Sequence, residues 1–159
     1  PAVGKYHGNR GAVLTVTRRF AEALPHLERA VALDGSKPEI FNTLGMACRE
    51  AGRAEDAVTA FRKAIELDPG YAEAHVNLMI SCAMTGDADR AEAVAGAAVA
   101  AVPNNAPVRN ARAMLLRAFG RIDEAVAELD RAISLDPTYA EAQTNLRRLV
   151  AERDRAASG

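Results

Sequence analysis

The sequence predicts an all-α chain, a solenoid of four helical hairpins closed by one C-terminal helix. Three observations carry this. The stretch AIELDPGYAEAHVNL at residues 64–78 returns as AISLDPTYAEAQTNL at residues 132–146, an offset of 68, and the chain also aligns on itself at half that spacing. Internal repetition of this kind marks stacked supersecondary units. The composition is 49% hydrophobic but only 4% aromatic, with no tryptophan and abundant alanine, which suits closely packed helices and not sheets. Glycine and proline recur at fixed places, where they stop one helix and turn the chain toward the next.

Frames beginning at Gly4, Pro38, Ala72, Ala106 and Ala140 impose the same demands each time. In the first, helices are expected at 5–17 and 20–33; Arg18 separates them, at the place where later frames carry Gly52, Gly86 and Gly120. Pro25 falls inside the second of these helices, removes one backbone hydrogen bond and is expected to kink it. The second frame gives 38–51 and 54–67. In the third, 72–85 and 88–101, Asp87 and Asp89 flank a helix start, where carboxylates cap free N–H groups and favour the positive helix end. The fourth gives 106–119 and 122–135.

Ala23, Ala57, Ala91 and Ala125, and seven residues later Ala30, Ala64, Ala98 and Ala132, lie on one face of each second helix. Small side chains there let a neighbouring helix axis approach to about 8–9 Å. Gly35, Pro69, Pro103 and Pro137 end the frames. The last helix, 140–155, offers Leu146, Leu149 and Val150 to cover helix 122–135. Its remaining surface, with Arg147, Arg148, Glu152, Arg153 and Asp154, is polar as an end cap requires.

Some positions depart from the frame. Ala95 and Gly96 stand where Leu27, Phe61 and Leu129 would lead one to expect bulk, while Met79 replaces the glycine or alanine of other frames. Either the methionine fills the volume or the third repeat is a loose hinge. Arg10 and Arg112 occupy a usually apolar position; either their stems cover apolar surface while the guanidiniums reach water, or they contact an anion.

From Ile40 to Pro69 the chain reads IFNTLGMACREAGRAEDAVTAFRKAIELDP. With an aromatic at Phe41, Leu-Gly at Leu44 and Gly45, then Ala57, Phe61, Ala64 and Pro69, it resembles the tetratricopeptide repeat family. The resemblance extends over essentially the whole chain as one domain, with repeats 4–37, 38–71, 72–105 and 106–139 and a capping helix 140–155. It implies a right-handed superhelix whose concave inner surface is lined by the first helix of each repeat.

Catalytic and metal chemistry finds no support in the residues. Cys48 and Cys82 lie one repeat apart at a core position, too distant for a disulfide, and read as buried thiols of a reducing compartment, hence a cytoplasmic setting. His7 and His75 sit two repeats apart and cannot share a metal, and His26 has no evident ligand partner. No phosphate-cradling loop, nucleophile elbow, zinc-protease helix or calcium loop occurs. No catalytic residue, cofactor or metal is expected, and the chain is read as not an enzyme. The formal net charge of −1 gives no general attraction to nucleic acid, and no apolar run approaches the roughly 20 residues of a membrane span. The start PAVGKYHGNRG has no signal-peptide features; beginning with Pro1 and not Met, the chain is read as part of a longer protein.

The resemblance also points to the inner wall. Each frame offers one asparagine at two adjacent inward positions: Asn9, Asn42, Asn77, Asn110 and Asn145. An amide both donates and accepts, so such a row can hold a peptide backbone, as the ladder in the repeats of O-linked N-acetylglucosamine transferases does. Asn42 and Asn110 are displaced by about 100° around their helices from the other three. Bridging between neighbouring repeats is therefore the equal alternative. Met46, Ile80, Met84 and Met114 fall on inward positions and suit apolar anchors of a partner, with Arg49 and Arg117 beside them for acidic groups. The expected function is a non-catalytic scaffold that binds a peptide or partner protein in the concave groove, without nucleic acid or membrane insertion. The alternative is a substrate-docking module of a larger enzyme, such as a glycosyltransferase or sulfotransferase; self-association through the solenoid ends or groove is a third route.

Overall fold

The computed structural model describes residues 2–157, and these form helices and short turns without a strand. Among the described residues nine helices follow one another: α1 (Ala2–Val16), α2 (Phe20–Leu33), α3 (Pro38–Glu50), α4 (Ala54–Leu67), α5 (Ala72–Met84), α6 (Ala88–Ala101), α7 (Ala106–Ala118), α8 (Ile122–Leu135) and α9 (Ala140–Ala157). They pair as hairpins α1–α2, α3–α4, α5–α6 and α7–α8, and the second helix of each hairpin packs on the first helix of the next. The chain is an all-α solenoid of helical repeats with a C-terminal helix.

The turns inside the hairpins follow from backbone sterics. Gly52, Gly86 and Gly120 have φ of +78°, +79° and +75°, the left-handed conformation that closes a helix C-terminus without a Cβ penalty. Arg18 adopts φ +59° at the same place and bears that penalty. Asp87 caps α6 by accepting from the Arg90 amide at 2.9 Å, and Asn105 caps α7 by accepting from the Val108 amide at 3.0 Å. Between hairpins, Asp34, Asp68 and Asp136 each accept a backbone N–H two residues on, which folds the tight turn before the next frame. α2 runs through Pro25 without interruption.

The two frame alanines of each second helix are fully buried, from Ala23 and Ala30 to Ala125 and Ala132. Across each hairpin two facing positions exchange volume. In the first repeat a Cβ on Gly11 would lie 2.5 Å from Leu27, and in the second a Cβ on Gly45 would lie 2.6 Å from the Phe61 ring. In the third the sizes are reversed: Met79 and Ala95 are both 2% exposed within one core cluster, while Gly96 faces open space. The methionine therefore occupies the volume that the small Ala95 vacates. The buried side chains form two clusters that meet in α7, one reaching Val108 and Leu115, the other running from Ala106 and Ala113 to Leu149 of α9.

Arg112 and the histidines find local partners. Arg112 reaches Glu128 at 3.4 Å, and the same carboxylate accepts from Arg109 and Arg131 at 2.9 Å each. Glu128 is only 4% exposed, so the three guanidiniums supply the compensation that a buried charge requires. His26, for which the sequence suggested no partner, lies with its Nδ1 2.9 Å from Nδ1 of His7 across the first hairpin. His75 bonds the Pro69 carbonyl at 2.9 Å, a place taken in later frames by Arg109 on Pro103 and Gln143 on Pro137. Cys48 and Cys82 are free and buried, and burial pushes both thiols above their ordinary pKa.

Candidate functional site

The first helices of the frames, α1, α3, α5, α7 and α9, form one wall. α3 touches α1, α5 touches α3 and α7 touches α5, while hydrogen bonds join α9 to α7. Along this wall two kinds of junction alternate, which gives the 68-residue repetition a physical meaning.

At the α3–α5 junction Asn77 donates its amide to Asn42 Oδ1 at 3.1 Å. Asn42 donates in turn to Glu73 at 3.1 Å and to the Tyr71 hydroxyl at 3.3 Å, and Arg49 donates to Asn77 Oδ1 at 2.9 Å. The α7–α9 junction repeats the arrangement. Asn145 donates to Asn110 Oδ1 at 2.9 Å, Asn110 donates to Glu141 at 3.1 Å and to Tyr139 at 3.4 Å, and Arg148 donates to Asn145 Oδ1 at 3.0 Å. Burial, ahead of the adjacent Glu73 and Glu141 carboxylates, holds the Tyr71 and Tyr139 phenols above their usual range. Arg117 reaches Glu152 at 2.9 Å beside the second node.

These four asparagines are buried, and they bridge repeats. The one-residue displacement along the sequence is what brings Asn42 and Asn110 opposite Asn77 and Asn145 on the next helix. Removing Asn77 would leave the buried Asn42 Oδ1 without its donor and take one acceptor from Arg49, so the side chain is a structural pin whatever else touches it. Tyr71, Glu73, Tyr139 and Glu141 complete the nodes and were not singled out from the sequence, although the repeated YAEA contains them all.

The other junctions are open. Between α5 and α7 lies a hollow of about 310 Å³ bounded by Met79, Ile80, Met84, Met114, Leu115 and three alanines, without a polar or charged side chain. Ile80 is 43% and Met84 58% exposed, so the rim itself is apolar. Between α1 and α3 a smaller hollow of about 230 Å³ has Lys5, Asn9, Glu39 and Thr43 at its edge. Of the expected site residues, Ile80, Met84 and Met114 thus line one hollow and Asn9 the other. Met46 is half-buried, its sulfur 3.9 Å from the Asn42 amide, and Arg49 lies 5.9 Å over the Phe61 ring. Among the described residues no group of three or more His, Cys, Asp or Glu side chains is placed to hold a metal ion.

Three tetratricopeptide repeat family models match the chain, over residues 16–72, 49–115 and 114–146. The chain belongs to the tetratricopeptide repeat family. Solved structures of similar fold include MamA residues 41 to the end from Desulfovibrio magneticus RS-1, 21% identical with a TM-score of 0.74 over 97% of this chain and 87% of that one. YrrB, described as a TPR protein with an unusual peptide-binding site, is 21% identical with a TM-score of 0.72 over 91% of this chain and 75% of its own. The first TPR domain of human RPAP3 is 19% identical with a TM-score of 0.66 over 77% of this chain and 96% of that domain. At such identities the likeness concerns the fold alone. No curated protein sequence matches the chain. Tetratricopeptide arrays are typically non-catalytic scaffolds. Among the described residues no helix is long and apolar enough to cross a membrane.

Proposed function

We infer that this array is a non-catalytic scaffold that holds an extended or helical peptide of another protein against the wall of first helices. The observation that carries the reading is the apolar hollow between α5 and α7, whose rim residues Ile80 and Met84 stay exposed while the flanking α3–α5 and α7–α9 junctions are pinned by satisfied polar nodes. A preformed surface binds without first being ordered. A Leu or Phe side chain seated there would contribute about 2–3 kcal/mol, and the methionines adapt to either shape. Repeats 4–37, 38–71, 72–105 and 106–139 with the cap 140–155 act as one rigid unit in this reading. The structural likeness to YrrB, with its peptide-binding site, supports it. The buried free thiols fit a reducing, cytoplasmic setting.

The test is selection of peptides from a displayed random library against the 159-residue protein, followed by calorimetry with Ile80→Ala/Met84→Ala. Both positions are exposed, so the variant should melt as the parent does while binding the selected peptides at least tenfold more weakly. Undiminished binding would place the peptides elsewhere and reject the hollow as the site.

A further inference from the structure

The chain has four methionines, and all of them stand on first helices of the repeats. Their surroundings differ in a graded way. Met79 is 2% exposed inside the first core cluster. Met46 and Met114 are half-buried, and a side-chain N–H points at each sulfur, from the Asn42 amide at 3.9 Å and from the Arg148 guanidinium at 3.5 Å. Met84, the last residue of α5, is 58% exposed, and among the described residues no N–H reaches its sulfur. A thioether is oxidised when a sulfur lone pair attacks a peroxide oxygen, so the sulfur must be reachable and its lone pairs unengaged. Only Met84 meets both conditions among the four. The cysteines do not compete with it. The reactive form of a thiol is the thiolate, whereas Cys48 and Cys82 are 3% and 0% exposed and burial holds both thiols above their ordinary pKa.

We propose that Met84 is an oxidation switch on the α5–α7 hollow: a peroxide converts its thioether to the sulfoxide, and the modified hollow no longer accepts an apolar anchor. The inference rests on the reading of that hollow as the partner site. In the forward step the Met84 sulfur bonds one oxygen of hydrogen peroxide, the O–O bond breaks, and the other oxygen leaves as water with both peroxide protons. Sulfur is oxidised and the peroxide reduced. A reductant carrying two thiols reverses the change, removing the oxygen as water and becoming a disulfide. The new S=O group is a strong acceptor, and the lining, made of Met79, Ile80, Met114, Leu115 and three alanines, offers it no side-chain donor. In the free protein the oxygen stays solvated, because the side chain is exposed, so the fold is undisturbed. An apolar side chain entering the hollow strips that water and leaves a buried acceptor unpaired. Oxidation therefore releases the partner and leaves the scaffold intact.

The protein is treated with graded hydrogen peroxide and quenched. Each sample is divided between peptide mapping by mass spectrometry, thermal denaturation, and calorimetry with a library-selected peptide that itself lacks methionine and cysteine. Met84 should gain one oxygen before the other methionines and both cysteines. Affinity should fall about tenfold or more in step with that gain, with the melting curve unchanged, and a sulfoxide reductase with a dithiol should restore it. In Met84→Leu the affinity before and after peroxide should be the same, whatever its starting value, while Met114→Leu still loses affinity on oxidation. Oxidation of another methionine or a cysteine ahead of Met84 overturns the proposal, and so does a melting temperature that falls together with affinity. Affinity retained after complete Met84 oxidation, in a peptide that Ile80→Ala/Met84→Ala does weaken, overturns the switch and leaves the hollow as the partner site. Indifference to both the oxidation and the double substitution rejects the hollow as the site and the switch with it.

Discussion

The exchange of volume across each hairpin is open to a direct energetic test at Gly45 and Phe61. A Cβ at Gly45 would lie 2.6 Å from one ring carbon of Phe61 and 2.8 Å from two others. Carbon atoms in contact normally sit about 3.5–4.0 Å apart, so the overlap is about 1 Å. Phe61 is 0% exposed and cannot swing into solvent. In an open helix interior alanine is favoured over glycine by about 1 kcal/mol. Overpacking costs about 1–3 kcal/mol, so Gly45→Ala should be destabilising by about 1 kcal/mol, a fall in Tm of about 2–4 °C for a chain of this size. Phe61→Leu alone leaves a void worth about 1–2 kcal/mol. Together the two changes recreate the Ala113 and Leu129 pair of the fourth repeat, and the coupling should be favourable by about 1–2 kcal/mol. Urea denaturation of the four proteins, followed by circular dichroism, supplies the cycle. Gly45→Ala as stable as the parent, or a double variant equal to the sum of its parts, would refute size complementarity as the basis of the packing.

Other expectations follow from the same structure. Arg18→Gly relieves a left-handed backbone that the other hairpins give to glycine, and should raise stability by about 1 kcal/mol in thermal denaturation. Asn77→Ala should cost about 1–3 kcal/mol, because it leaves the buried Asn42 Oδ1 without its donor and takes one acceptor from the Arg49 guanidinium; chemical denaturation against Met84→Ala, which should be close to neutral, measures the contrast. Deletion of residues 140–159 removes Ala142 and Leu149 from the second core cluster and should lower Tm sharply or cause aggregation. An unchanged melting curve would reject the capping role of α9.

The helices themselves were legible because glycine and proline act locally. Each first helix from α3 to α7 was expected one residue too long, at 51, 85 and 119, since the last position is a cap whose amide still bonds back into the helix. α1 begins three residues before the expected start and α9 ends two after the expected end. Exchange between Met79 and Ala95 was visible as a pair of compensating departures from the frame. The site was only half readable. Helical period places Ile80, Met84 and Met114 on one wall, but two readings of the asparagines remained until the neighbouring helix was in place. Nothing along the sequence shows that Asn42 lies opposite Asn77, because that depends on the offset between two helices 35 residues apart. The His7 and His26 pair was missed for the same reason, its closeness being created by the hairpin and not by spacing.

The claim that the α5–α7 hollow receives the partner is tested most directly by methyl NMR on protein labelled at its four methionines, titrated with a library-selected peptide. Met84 and Met114, which border the hollow, should shift strongly and with the same affinity as calorimetry gives, while Met46 at the α3–α5 node moves little. Saturating peptide that leaves the Met84 and Met114 resonances in place would contradict the account.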